Sequence, residues 1–133
     1  MSRKHVLAAL ATLGVAATAI PLAAQSSGLA VLDKLERGQW ELRERGSKTT
    51  RRICVRTGRE LIQLRHRGPD CSRYVVESGA DQVTVQYTCR GNGYARTSIR
   101  RETPTLVQIE SQGIADDLPF EFVAEARRVG SCR

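Results

Sequence analysis

The chain has 133 residues, with 21 Lys+Arg against 14 Asp+Glu and a formal net charge of +7. That length suits one small domain and excludes two. Six aromatic residues (1 Trp, 3 Tyr, 2 Phe) are too few for a base-stacking platform, and the mostly arginine charge is interspersed with glutamates, as on an ordinary solvated surface.

Arg3 and Lys4 precede an uncharged run from Val6 to Ala24, which gives way to polar Gln25-Ser26-Ser27-Gly28. A charged start, an apolar middle and a small-residue exit describe a secretory signal peptide over residues 1–24, although Leu22 is not ideal three residues before the cut. An uncleaved anchor is the alternative, because this run nearly spans a bilayer; Pro21 and the Ala23-Ala24 pair favour cleavage. No cysteine lies near the cut, so no lipid anchor is implied. Residues 25–133 are then a single small β-rich domain, secreted or periplasmic, without a transmembrane segment after cleavage. It carries 19 Lys+Arg against 14 Asp+Glu, a net of +5. Outside the cytoplasm, anionic lipid, polysaccharide or a protein partner suits that charge better than nucleic acid.

Leu29, Leu32 and Leu35 recur every third position before Gly38, which predicts a short lead-in helix over 29–36. Alternation then predicts strands at Gln39–Arg43, with Trp40 and Leu42 inward, and at Thr50–Arg56, with Ile53 and Val55 on one face and Cys54 on the other. Thr57-Gly58-Arg59-Glu60 has capping-box spacing and opens a predicted two-turn helix over 59–66 that ends at Gly68-Pro69. Next comes a hairpin from Cys71 to Cys89, whose second arm alternates Val83, Val85, Tyr87 and Cys89 against Thr84, Gln86 and Thr88. One register places Cys71 opposite Cys89. A one-residue slip instead packs Tyr74 and Val76 against Tyr87 and Val85 and separates the cysteines; a bulge near the turn reconciles the two. Further strands are predicted at Tyr94–Arg101, Leu106–Ser111 and Phe120–Arg127. The fold class is therefore mainly β: an antiparallel β-meander of about seven strands, as a curved sheet or partial barrel, with one short helix leading in and another between strands two and three.

Four cysteines in a secreted chain read as two disulfides. Cys54, Cys71, Cys89 and Cys132 contain no Cys-x-x-Cys pair, and beyond the leader His66 is the only histidine, so no metal or other cofactor is expected. If the 59–66 segment crosses the sheet before strand three, Cys54 and Cys132 fall at one end and Cys71 and Cys89 at the other. That pairing is preferred; Cys54/Cys71 with Cys89/Cys132 is the competing one.

The order and spacing of several features resemble the bacterial secreted family designated domain of unknown function 3617. They are the leader, Gly38-x-Trp40-Glu41, Ile53-Cys54-Val55-x-Thr57, Cys71 opening a strand, Val83-Thr84-Val85 before Cys89, and Arg127-Arg128-Val129-Gly130-Ser131-Cys132 at the close. Gly58-Arg59 departs from the Pro-Glu or similar helix start expected after Thr57. The resemblance implies an envelope or secreted location and a cysteine-stapled β domain, and it implies no activity.

His66 with Asp70 and Ser72 offers the only catalytic-looking grouping. The Arg65-His66-Arg67 context reads instead as an exposed basic helix end, so a hydrolase using His66 is the least favoured function and no enzyme is expected. Asp116-Asp117 lacks the alternating oxygen ligands of a calcium loop. Among the arginine doublets, Arg51, Arg65, Arg67 and Arg100 are candidate anion-binding residues, since adjacent strand residues point to opposite faces. Trp40, Tyr74, Tyr87, Tyr94, Phe120 and Phe122 are expected in the core. The functions that follow are binding of a small apolar ligand in the sheet's concavity, binding of an anionic envelope component, or a structural or protein-interaction role.

Overall fold

The structure is a computed structural model that describes residues 28–133 apart from Pro69. The expected signal peptide over residues 1–24 lies outside the described residues. Seven antiparallel strands form one open sheet: β1 (Gly38–Glu44), β2 (Thr50–Val55), β3 (Cys71–Ser78), β4 (Gln82–Cys89), β5 (Gly93–Thr103), β6 (Leu106–Ala115) and β7 (Leu118–Gly130). Their order is β2-β1-β7-β6-β5-β4-β3, so β3 to β7 run as a meander and the first strand joins the last. The two edges are β2 and β3.

The sheet curls around the segment that links those edges. Arg51 on β2 donates to the carbonyl of Leu64 at 3.3 Å, and Arg73 on β3 donates to the Gln63 side chain at 2.7 Å. Strands at opposite ends of the order thus grip adjacent residues, which requires a partial barrel with residues 57–68 across its opening. Leu61 and Ile62 on this segment are buried in the same core cluster as Val55, Val83, Val85 and Ile99. The Thr97 hydroxyl donates to the Ile62 carbonyl at 2.9 Å, satisfying an acceptor that no strand reaches.

Both helical pieces are shorter than the sequence predicts. The lead-in helix, α1, covers only Ala30–Asp33. It still places Val31, Leu32 and Leu35 in the core, where the Trp40 indole donates to the Glu36 carbonyl at 3.0 Å. The predicted 59–66 helix is a 3-10 turn at Arg59–Leu61. The capping contacts do form, with the Glu60 carboxylate accepting from the amides of Arg56 and Thr57. Burial pushes the Glu60 carboxyl up and its amide partners pull it down further, leaving it below the usual glutamate value. Gly58 sets the entry to this turn. Its φ of 80° lies in the left-handed region, and a Cβ there would stand 2.8 Å from the Leu32 carbonyl oxygen, so α1 presses directly on this turn.

Hairpin register follows the reading with the cysteines opposed, so Tyr74 faces Gln86 and the expected packing of Tyr74 and Val76 against Tyr87 and Val85 does not form. Cys71 faces Cys89, and pairing holds through Val75 opposite Val85; a bulge at Val76 then shifts Glu77 onto Thr84. Disulfides join Cys71 to Cys89 and Cys54 to Cys132. The first pair belongs to the inward row with Tyr87 and Val85, whereas Cys54 shares the outward row with Arg52. Each face of the sheet therefore carries one staple, at opposite ends of the strands, as the crossing segment demands.

Candidate functional site: a groove on the outer face of the sheet

On β5 the small or branched residues Ala95, Thr97 and Ile99 turn inward, because the space beneath them is filled by the 57–68 segment. Tyr94 and Arg96 consequently turn outward. Register carries this parity across the sheet: Gln86, Arg96, Gln112 and Glu121 form one cross-strand row over β4 to β7, and Tyr94, Ile114 and Pro119 form the next. These residues line a shallow groove of about 570 Å³. Tyr94 is 50% exposed and Tyr74, which continues the polar row on β3, is 72% exposed. The expected core placement of both tyrosines is thus corrected. Only Tyr87 of the three points inward.

Beneath the groove, His66 holds two strands in place. It is 2% exposed, which overturns the expected exposed helix end. Nε2 lies 2.9 Å from the carbonyl oxygens of both Asn92 and Ile114, and Nδ1 lies 2.8 Å from the Tyr87 hydroxyl. Carbonyl oxygens only accept, so Nε2 carries the proton and donates to both; in the neutral ring Nδ1 accepts from Tyr87. Burial pushes the Tyr87 hydroxyl up to about 12, so it remains a donor. Gly93 permits this approach: with φ at 98°, any Cβ would collide with the Ile114 carbonyl oxygen. Among the described residues no carboxylate contacts the imidazole, and Asp70 and Ser72 are exposed at the start of β3.

Asp116 and Asp117 form the two-residue β6–β7 turn, both with positive φ (51° and 62°), and the Asp116 amide donates to the Asn92 side chain. The four candidate arginines do not converge. Arg51 and Arg65 share a small pocket at the mouth of the concavity, where Arg65 pairs with Glu44 at 2.8 Å and lies over the Phe122 ring at 4.8 Å. Arg67 is exposed beyond them, and Arg100 lies on the opposite face, paired with Glu102 at 3.0 Å. No family model, curated protein or solved structure matches the chain.

The groove residues escape a reading by motif because they come from four strands. Only register brings them together. Chemically the site offers two aromatic side chains (exposed Tyr94 and half-buried Phe120), two amides, one guanidinium and one carboxylate, all planar, and among the described residues neither histidine nor cysteine lines it. Two disulfides are consistent with an oxidising, extracellular setting. Among the described residues no helix is long and apolar enough to cross a membrane.

Proposed function

We propose that this protein is a non-catalytic binding domain of the bacterial envelope, secreted or periplasmic, whose outer-face groove takes a polysaccharide chain. The observation that carries the reading is Tyr94 half-exposed beside the row Gln86, Arg96, Gln112 and Glu121. A sugar ring has an apolar C–H face that stacks on an aromatic ring and a rim of adjacent hydroxyls. Planar amide, guanidinium and carboxylate groups can each engage two neighbouring hydroxyls at once. A sheet surface supplies both on a rigid frame, and the His66 contacts fix the backbone on either side of Tyr94.

The location rests on the leader-like residues 1–24, the two staples and the resemblance to the secreted family. A small apolar ligand in the concavity is less favoured, since Leu61, Ile62 and His66 occupy that space. Strand addition to β3 by a protein partner has Tyr74 and the 39% exposed Val76 in its favour. The bulge at Val76 works against it, because bulges twist edges away from pairing.

Affinity electrophoresis through gels containing soluble polysaccharide tests the proposal. The four gels hold polygalacturonate, its methyl ester, carboxymethylcellulose or hydroxyethylcellulose. Retarded migration in at least one gel, abolished by Tyr94→Ala, is the expected result. Unretarded migration of the wild-type protein in all four would overturn it.

A further inference from the structure

We infer that the saccharide is acidic and that Arg96 receives its carboxylate. This deepens the groove reading above and rests on it. Arginines on the outer face of the sheet are otherwise committed. Arg43 and Arg52 lie 3.7 and 3.5 Å from Glu41, Arg100 lies 3.0 Å from Glu102, and Arg127 lies 3.3 Å from Glu125. Among the described residues, Arg96 is the strand arginine of this face without a carboxylate within ion-pair distance. Its direct cross-strand neighbours are the neutral Gln86 and Gln112. The nearest acids of this face are Glu110, diagonal to Arg96 on β6 at about 7–8 Å between backbones, and Glu121, two strands away at about 10 Å; neither is within ion-pair distance.

That spacing matters chemically. A guanidinium already paired has its charge and its fork of donors occupied, whereas a free one flanked by amides can take a carboxylate through two parallel hydrogen bonds. Arg96 also lines a second, smaller recess of about 140 Å³ with Glu110 and Glu121; those acids repel an anion on that side, so a carboxylate approaches Arg96 from the Tyr94 side. Tyr94 lies two residues away on the same strand and face, about 7 Å off, close enough for one sugar ring to stack while its acid group meets Arg96. Gln86 and Gln112 then flank the bound carboxylate with amides, and Glu121 accepts from a hydroxyl farther along the chain. The surplus of arginine over the whole domain adds a field that draws a polyanion in, screened beyond about 8 Å at physiological salt.

The test pairs each acid with its uncharged counterpart: polygalacturonate with its methyl ester, and carboxymethylcellulose with hydroxyethylcellulose. Equilibrium binding to the intact protein should favour the acid of at least one pair by about tenfold or more at low salt, as expected for one charge-assisted bidentate contact. The preference should shrink as salt rises. Arg96→Gln should abolish it, so that the variant binds each acid no better than its uncharged counterpart. Arg96→Lys should retain part of it, since the charge stays and the fork is lost. Because Arg96 is exposed, these variants should keep the wild-type disulfide map and unfolding midpoint. Equal binding of acid and neutral forms would overturn the acidic assignment and leave the groove standing. Full preference in Arg96→Gln would overturn the role of Arg96, and no binding to any of the four polymers would overturn both proposals.

Discussion

Replacing His66 with phenylalanine should destabilise the protein by roughly 3 kcal/mol, a sum over the groups left without partners. Phenylalanine is somewhat larger than histidine, so no cavity forms, but three hydrogen bonds disappear. The Tyr87 hydroxyl is fully buried, and stranding it costs about 1–2 kcal/mol; the half-buried carbonyl ends of Asn92 and Ile114 add about 1 kcal/mol between them or somewhat more. Urea unfolding followed by the single tryptophan reads the change as a lower midpoint with an unchanged slope. The double variant His66→Phe/Tyr87→Phe sharpens the test. With the hydroxyl gone, the double variant should lose less than the two single variants combined, by about 1 kcal/mol or more. A His66→Phe protein within about 0.5 kcal/mol of wild type would refute the buried latch, since that is the range of surface substitutions.

Two further results are expected. Removing the Cys54–Cys132 bridge as a serine pair should cost about 4.5 kcal/mol and removing Cys71–Cys89 about 3 kcal/mol, because the closed loops span 78 and 18 residues. Chemical denaturation of the two double variants measures the difference; a reversed ranking would refute the chain-entropy account. Stability should also fall as pH rises from about 10 to about 12. Over that range the unfolded chain loses the Tyr87 proton while the folded protein, with the hydroxyl pushed up to about 12, retains it. The slope from this group approaches 1.4 kcal/mol per pH unit, and Tyr87→Phe should remove it from the alkaline unfolding profile.

Strands were legible because their periodicity is local. Val83, Val85 and Tyr87 face the core as their alternation requires, and the hairpin's two incompatible registers pointed to a bulge between them. The disulfide pairing followed from strand direction once the crossing segment was placed. Helix length was less legible: beyond Leu61 the Ile62 and Leu64 carbonyls accept from Thr97 and Arg51, side chains distant in sequence that stand in for helical amides. His66 misled because flanking arginines signal exposure, while the partners that bury it, Tyr87, Asn92 and Ile114, belong to other elements. Tyr94 shows the same limit. Its strand could present either face, and only the space claimed by Ile62 beneath Thr97 decides which. The groove inherits that dependence, since Gln86, Arg96, Gln112 and Glu121 become neighbours only through three strand pairings.

The seam between β1 and β7 has a consequence for the order of assembly. The β1–β2 arm and the run from β3 onward can each pair locally as the chain elongates, but neither can join the other until the final strand exists. Contacts of such long sequence separation slow folding. A nascent chain stopped before Leu118 would hold two unattached halves with bare edges, and the thirteen residues of β7, by clasping β1, would turn them into one cooperative body.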